Sequence, residues 1–263
     1  MSRNRRRTIL SLVAALPLMA APASFAQGIA QIRFGVEPAY PPFESKGPDG
    51  RISGFDIDLG EAVCAQVKAK CVWVEAEFDS IVPALRAKKF DAILSAFGVT
   101  EDRAKQVAFT SPLWISRTGL IVKQGSPLQA QASSLKGKRV GVPAGTTYEK
   151  FAMAHWKPAG VEIVAYKAPP DIYPDLASGR IDASLADMVE SRAAFLKREQ
   201  GKGFTFAPGS ADLQKMDSPT AIGVRKEDKA LLEALNKAIA EVKANGTYKR
   251  LEDKWIGLDI EAK

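Results

Sequence analysis

Short apolar segments that are typical of buried strands alternate along this chain with segments of helical periodicity. A first series places strands at 31–36, 72–76 and 92–94, with helices that begin near residues 54, 81 and 100. A second series, after Pro112, places strands at 138–142, 161–166 and 181–185, again with a helical segment after each one. This order predicts an α/β fold in which each series forms a mostly parallel sheet flanked by helices. Two such series predict two lobes, with functional residues at the carboxyl ends of the strands.

The end of the chain is predicted to return to the first lobe. A β-prone stretch at 113–123 leads out of the first series. The second series is followed by a short strand and two helices, at 221–225, 230–245 and 248–255. The lobes are therefore expected to be joined by two hinge strands. We place lobe 1 at 27–116 and 218–263 and lobe 2 at 117–217. A cleft between two such lobes is a ligand site.

Residues 1–26 differ from the rest of the chain. Four arginines precede an apolar run at 9–21, and the sequence Ser-Phe-Ala at 24–26 matches the positions that a signal peptidase reads. We predict a secretory signal peptide at 1–26 and a mature, exported protein that begins near Gln27. The apolar run is too short for a membrane span, and no later stretch holds the roughly eighteen apolar residues that a span needs.

Cys64 and Cys71 are the only cysteines, and they lie at the end of a helical segment and the start of a strand. In an oxidising compartment this arrangement predicts one structural disulfide. Two free buried thiols are the alternative at this stage.

Composition and motifs disfavour several classes of function. The formal charge is +7, but the signal segment holds four arginines and no acid, which leaves +3 and a weak case for nucleic acid. His155 is the only histidine, so a catalytic triad or a histidine metal site has little to draw on. The chain has no Cys-x-x-Cys, no phosphate loop and no Gly-x-Gly-x-x-Gly motif. We expect no cofactor and no metal, although acid–base chemistry by Glu37 and Asp187 stays open.

The segment 91–103 is the first candidate part of a ligand site. After the strand at 92–94, the chain turns through Ser95, Ala96 and Gly98, and Thr100 is predicted to cap a helix that carries Arg103. Turn amides and a guanidinium fork at a strand end suit a carboxylate. The alternative is that Arg103 is solvated or pairs with a neighbouring acid of its own helix.

The second series offers matching positions. A small-residue turn from Pro143 leads to Thr146 and Thr147 at a helix start, and Asp187 ends the strand at 181–185. Asp187 suits an α-ammonium group, and the threonines suit the carboxylate. A helix cap and a solvated acid are the purely structural alternatives.

Three residues of the first series complete the candidate set. Tyr40 and Phe78 can pack as flat walls around an aliphatic or guanidinium side chain, although aromatic pairs also serve as core. Glu37, after the first strand, is a second acid for a second cation. Two acids and one base match a ligand of net charge +1, such as arginine, lysine or ornithine.

Several long segments resemble the periplasmic solute-binding proteins for polar amino acids, above all the lysine/arginine/ornithine and histidine binders. The segments are GFDIDLGEAVC, VPALRAKKFDAILSAFGVTEDR, LKGKRVGVPAGTTYEKF, LASGRIDASLAD and LNKAIAEVKANGTY. The resemblance covers essentially the whole mature chain. It implies two lobes that close around an amino acid, a periplasmic location, a monomer, and delivery of the ligand to an inner-membrane ABC importer.

The resemblance also assigns roles to the candidate residues. It implies an aromatic sandwich of Tyr40 and Phe78, a carboxylate bound by Arg103, Thr146 and Thr147, an ammonium acceptor in Asp187, and a backbone contact at Ser95. Four positions depart from the family pattern, namely Glu37 for aspartate, Ala96 and Gly98 for serines, and Tyr148 for glutamine.

The departures keep other ligands open, since a longer acid and a smaller floor also resemble the opine binders for octopine and nopaline. Histidine is a further alternative. An alternative of another class is a cyclohexadienyl dehydratase acting on arogenate or prephenate, although a dianionic substrate would want more positive charge.

Overall fold

The computed structural model describes residues 28–209, 211–214 and 216–262. The predicted signal peptide at 1–26 lies outside the described residues. Within them, no helix is both long and apolar enough to cross a membrane.

The described part of the chain holds thirteen strands, and seven of them lie within two residues of a predicted segment. The bounds of all thirteen are β1 Gln31–Val36, β2 Ala39–Tyr40, β3 Glu44–Lys46, β4 Ile52–Ser53, β5 Lys70–Glu75, β6 Ala92–Ile93, β7 Ala108–Phe109, β8 Thr118–Lys123, β9 Arg139–Pro143, β10 Glu162–Tyr166, β11 Ala183–Asp187, β12 Phe204–Phe206 and β13 Gly223–Val224. Five short strands, β2, β3, β4, β7 and β12, were not predicted.

The helices fill the gaps between these strands. Their bounds are α1 Phe55–Val67, α2 Ile81–Arg86, α3 Glu101–Ala104, α4 Ala132–Leu135, α5 Thr147–Phe151, α6 Pro169–Ala177, α7 Met188–Ser191, α8 Ala211–Gln214, α9 Lys229–Ala244 and α10 Thr247–Trp255. Helices α5 and α7 each continue into a π-helical turn, at Ala152–Trp156 and Arg192–Leu196.

The first sheet has the strand order β5-β1-β6-β13-β7. β1 pairs in parallel with β5 and with β6, as the alternation of segments predicts. β13 pairs antiparallel with β6 on one side and with β7 on the other. A strand from near the end of the chain therefore lies inside the sheet of the first lobe.

The second sheet has the order β10-β9-β11-β8-β12. β9 is parallel to β10 and β11, while β8 is antiparallel to β11 and β12. A small antiparallel sheet, β2-β3-β4, follows β1 and carries Tyr40 and Glu44. The prediction of an α/β fold with two sheets flanked by helices is confirmed, and each five-stranded sheet is mixed, with two parallel and two antiparallel pairings.

Apolar side chains of the strands are buried under the helices. In the first lobe α1 packs against α9 and α10, with Leu59 and Ile239 in the shared core. A separate cluster around Leu85 and Phe90 packs α2 against the sheet. Because the strands are covered by helices, polar side chains can approach them only at their ends.

The predicted strand at 113–123 begins only at Thr118. Leu113 and Trp114 are β-prone, but they are buried in the core of the first lobe, where Trp114 stacks on Phe43 with ring centroids 3.9 Å apart. Their backbone pairs with the other connection between the lobes. The Thr220 N–H donates to the Trp114 carbonyl at 2.7 Å, and the Leu113 N–H donates to the Thr220 carbonyl at 2.8 Å. The two connections thus run side by side.

Cys64 and Cys71 form a disulfide, which confirms the prediction and removes the alternative of free thiols. Cys64 lies in α1 and Cys71 in β5, with Cα atoms 5.8 Å apart. The bond ties the helix to the edge strand of the first sheet.

Removal of this disulfide, by the double substitution Cys64→Ser and Cys71→Ser, is expected to destabilise the protein by about 2.5 kcal/mol, because a short loop is released in the unfolded chain. Thermal unfolding should then occur about 5–10 °C lower. A reducing agent should lower the melting temperature of the wild type and leave the double variant unchanged. Equal melting temperatures for both proteins would contradict this expectation.

Candidate functional site

All eleven predicted site residues line one cavity of about 650 Å³ between the two sheets. The cavity lies at the carboxyl ends of the strands, since Glu37 follows β1, Phe78 follows β5, Ser95 follows β6 and Asp187 ends β11. The ends of these strands therefore bring together residues that are up to 150 positions apart in the sequence, from Glu37 to Asp187.

Arg103 brings a positive charge to the cavity, and its position depends on the predicted helix cap at Thr100. The Thr100 hydroxyl accepts a hydrogen bond of 3.2 Å from the Arg103 N–H and so starts α3. The guanidinium donates from Nη1 to the Gly98 carbonyl at 2.8 Å and from Nη2 to the Gly145 carbonyl at 3.2 Å. It thereby contacts both lobes.

The guanidinium of Arg103 has no acidic partner among the described residues. It lies 4.4 Å from the ring centre of Phe97 and 5.2 Å from that of Phe78. Asp102 pairs instead with Lys105 and Lys150, so the alternative of a local ion pair for Arg103 is not realised. Burial lowers the pKa of Arg103 to about 10, which leaves it charged at neutral pH. A partly buried cation held only by carbonyls and aromatic faces is a site for an anion.

Asp187 is the acid on the opposite lobe. It is 3% exposed, and its Oδ1 accepts hydrogen bonds from the Val189 N–H at 2.7 Å and the Glu190 N–H at 2.9 Å, which caps α7. Burial raises its pKa to about 6, so the carboxylate is charged at neutral pH. One buried side chain therefore both caps a helix and presents negative charge to the cavity.

Glu37 brings further negative charge to the same cavity. Its backbone N–H donates to the Ser95 hydroxyl at 3.0 Å, and its carboxylate accepts from the Phe78 N–H. Burial and, to a smaller extent, the nearby acids Asp79, Glu77 and Asp171 together raise its pKa to about 7. This end of the cavity therefore favours a cation.

Aromatic side chains line the remaining walls. Phe78 packs edge-on against Phe97, with ring centroids 6.2 Å apart, and Tyr40 stacks on Phe43 at 6.0 Å. Tyr148, where the sequence resemblance implies a glutamine, also lines the cavity and hydrogen-bonds to Tyr40. The departure thus adds a second phenol beside Asp187.

The floor of the cavity is made of small residues. Ala96 has a φ of 45°, in the left-handed region that residues with a Cβ seldom adopt. At Gly98, an added Cβ would lie 3.3 Å from the Ser218 hydroxyl and 3.6 Å from Nη1 of Arg103. An added Cβ at position 98 would therefore press on the Ser218 hydroxyl and meet the guanidinium at ordinary van der Waals distance.

Thr146 uses its hydroxyl within its own turn. The hydroxyl donates to the Pro143 carbonyl at 2.6 Å and accepts from the Glu149 N–H at 3.3 Å, which starts α5. The capping alternative is therefore realised for Thr146, although the residue lines the cavity with Pro143 and Thr147.

A sequence profile of the bacterial extracellular solute-binding proteins, family 3, matches residues 32–258 of this chain. The chain belongs to this family. Because the family consists of solute-binding proteins, the prediction of a binding protein rather than an enzyme is confirmed.

Similar proteins cover nearly the whole of this solute-binding protein. The histidine-binding periplasmic protein of Escherichia coli is 44% identical over 256 residues, 97% of this chain and 98% of the relative. The lysine/arginine/ornithine-binding periplasmic protein of the same species is 40% identical over the same shares. The solved structure of an ancestral arginine-binding protein bound to arginine matches with a TM-score of 0.80 and 33% identity, covering 88% of this chain and all of that one. These matches confirm the resemblance drawn from the sequence.

Several residues that line the cavity of this solute-binding protein were missed by the strand-end argument. They are Glu44, Trp114, Ser116, Thr118, Pro169, Met216, Ser218 and Thr220. Most lie in or next to the two connections between the lobes. A connection that passes a cleft must line it, so the predicted positions of the two connections could have indicated these residues.

The single histidine takes no part in the site. His155 lies in the π-helical turn after α5, where it packs against Phe151 with ring centroids 4.7 Å apart. No cluster of His, Cys, Asp or Glu among the residues with described positions could hold a metal ion.

Proposed function

We propose that this solute-binding protein binds a cationic L-amino acid, such as arginine, lysine or ornithine, between its lobes. The observation that carries the proposal is the charge arrangement of the cavity. Arg103 lacks an acidic partner within the described chain, while Asp187 and Glu37 are acids without a basic one. One ligand with an α-carboxylate, an α-ammonium and a cationic side chain satisfies all three charges.

The names of the related proteins support the same class of ligand. Two of them are named for histidine and for lysine, arginine and ornithine. The acids around Glu37 favour a side chain that is fully charged at neutral pH, which places histidine second. Opines are the third candidate, since the small residues Ala96 and Gly98 leave more room for a bulkier ligand.

We further propose that the protein acts in the periplasm as a monomer that delivers its ligand to an inner-membrane ABC importer. Export would use the signal peptide at 1–26. The relatives named above are periplasmic proteins, which supports this location.

The proposed lobe boundaries are 27–116 with 218–263 for lobe 1 and 117–217 for lobe 2. The membership of the two five-stranded sheets supports this division, because every strand of the second sheet lies within 118–206.

Thermal unfolding of refolded, ligand-free protein tests the class of ligand. Arginine, lysine, ornithine, histidine, glutamine and octopine form the panel. A ligand at one hundred times its Kd adds about 2.7 kcal/mol, which raises the melting temperature by roughly 5–10 °C. A large shift with the first three and none with glutamine is expected. A shift with octopine alone would identify an opine, and not a cationic amino acid, as the ligand. No shift with any compound would overturn the proposal.

Glu37 is expected to select for the cationic side chain. Glu37→Gln removes the charge but keeps the shape, and arginine affinity should fall about 10–100-fold because a charge-assisted hydrogen bond is weakened. Citrulline, which has the same length without the charge, should bind equally to both proteins. Glu101→Gln, on the exposed side of α3, is the matched control and should change neither affinity. Equal losses for arginine and citrulline would contradict the role of Glu37.

The affinity for arginine is expected to fall as the pH falls below about 7. The ligand-free protein must lose a proton from Glu37, whose pKa is raised to about 7 by burial, before this carboxylate can hold a cation. Binding therefore weakens by about tenfold per pH unit between 7 and 5. In Glu37→Gln this dependence should disappear above pH 6. Below pH 6, protonation of Asp187 should weaken binding in both proteins. Isothermal titration calorimetry at several pH values measures both profiles.

A further inference from the structure

Two buried acids, Glu44 in the lining of the cavity and Asp56 behind Ala96, have no basic partner in the described chain. Glu44 is 1% exposed and Asp56 is 0% exposed. Burial raises the pKa of both acids, whereas the hydrogen bond between their carboxyl groups raises the pKa of Glu44 and lowers that of Asp56. Two adjacent buried carboxylates without a counter-charge are too costly to persist, so a proton must lie between them.

The hydrogen bonds of Asp56 identify it as the charged member. Its Oδ2 accepts from the Ala96 N–H at 2.8 Å and its Oδ1 from the Trp114 Nε1–H at 2.9 Å. It also lies in the first turn of the 13-residue helix α1, where the helix dipole favours an anion. Both of its oxygens therefore already accept hydrogen bonds from N–H donors.

The hydrogen bonds of Glu44 identify it as the protonated member. Its Oε1 accepts from the Ser95 hydroxyl at 3.1 Å. Its Oε2 is buried and has no donor facing it. An oxygen in that position is satisfied only when it carries a proton and donates it to Asp56. Glu37 is the other acid whose charge acts on Glu44.

The pair holds the wall that the ligand contacts. Through Oε1, Glu44 fixes the Ser95 hydroxyl, which also accepts from the Glu37 N–H at 3.0 Å. Through Oδ2, Asp56 holds the N–H of Ala96, the residue with the left-handed φ of 45°. A residue with a Cβ keeps that conformation only where its surroundings over-determine it.

We propose that Glu44 and Asp56 share one buried proton at neutral pH and that this pair positions Ser95 and Ala96 for ligand binding. Both are positioning residues. The second half of the inference rests on the proposed function, because it concerns the wall of the ligand cavity. The first half is independent of any ligand.

Infrared difference spectroscopy tests the shared proton. In deuterium oxide at pH 7, the wild type should show the C=O stretch of a protonated carboxylic acid, and Glu44→Gln should lose it. Glu190→Gln is the matched control, since Glu190 is a second fully buried acid that accepts from the Tyr173 hydroxyl at 2.6 Å. It should remove a separate band and leave that of Glu44. Identical acid bands in wild type and Glu44→Gln would overturn the proposal.

Proton release on unfolding gives a second readout. The folded pair binds one proton at pH 7, whereas unfolded glutamate and aspartate bind none. Unfolding of the wild type therefore releases this proton, and stability falls as the pH rises from about 4.5 towards the folded pKa of Glu44. Glu44→Gln should release about one proton fewer at pH 7. An unchanged proton count would contradict a protonated Glu44.

Ligand affinity tests the positioning role. Glu44→Leu removes the acceptor of the Ser95 hydroxyl, so arginine affinity should fall about tenfold or more, whereas Glu44→Gln, which can still accept from Ser95 and donate an N–H to Asp56, should restore most of it. Asp56→Asn turns an amide N–H₂ towards another donor, and affinity for arginine and citrulline should fall about tenfold or more. Wild-type affinity in folded Asp56→Asn would refute positioning by the pair. Wild-type protein that binds no amino acid would instead overturn the proposed function and leave the infrared result standing.

Discussion

Replacement of Arg103 by alanine is expected to abolish binding of every amino acid ligand, with an affinity loss of at least about 1,000-fold. Among the described residues that line the cavity, only Arg103 combines a full positive charge with a two-pronged donor geometry. Without it, the ligand carboxylate would be buried between Asp187 and Glu37 with no counter-charge. Isothermal titration calorimetry with arginine and glutamine measures the loss.

Two comparisons separate this effect from misfolding. Lys105→Ala, two residues along the same segment and highly exposed, should keep wild-type affinity. Agmatine, which is arginine without its carboxylate, should bind weakly and to the same extent in the wild type and in Arg103→Ala. A larger loss for agmatine than for arginine would show that Arg103 does not hold the carboxylate.

Replacement of Asp187 by asparagine is expected to weaken all α-amino acids by about 100-fold or more. The substitution removes the charge that the ligand ammonium requires, while asparagine caps a helix as well as aspartate does. Stability should therefore change little, because the bonds from Val189 and Glu190 can form to the amide oxygen.

The matched control lies at the other end of the same strand. Asp182 precedes β11 and pairs with Arg139, away from the cavity, so Asp182→Asn should bind ligands as the wild type does. Des-amino arginine, which lacks the ammonium, should bind Asp187→Asn and the wild type equally. A loss confined to ligands with cationic side chains would transfer that role from Glu37 to Asp187.

The charged part of the site was predictable because it follows from strand ends. Buried parallel strands read as continuous apolar runs, and the polar residue after each run reaches the common edge of the sheet. Glu37 and Asp187 meet this condition, Arg103 lies in the first turn of the helix that follows such a strand, and all three line the cavity. The cap at Thr100 was predictable for a local reason, since a hydroxyl before two acids is a helix start.

The remaining features depend on tertiary packing, which no local pattern carries. Ala96 has no side-chain property that indicates a positive φ, and only the buried Asp56 explains it. The sequence around Trp114 is typical of a strand, yet its ring stacks on Phe43 in the core and the strand begins only at Thr118. Thr146 is a plausible donor to a ligand until the Pro143 carbonyl takes its hydroxyl.

The position of β13 inside the first sheet sets the order in which the lobes can form. Its partners, β6 and β7, precede it by more than one hundred residues, so this pairing must close a very long loop. All strands of the second sheet, by contrast, come from one continuous stretch of chain. During synthesis from the amino terminus, the second lobe can therefore complete its sheet while the first lobe is still open. The lobe whose first strand is synthesised first is therefore the lobe whose sheet is completed last.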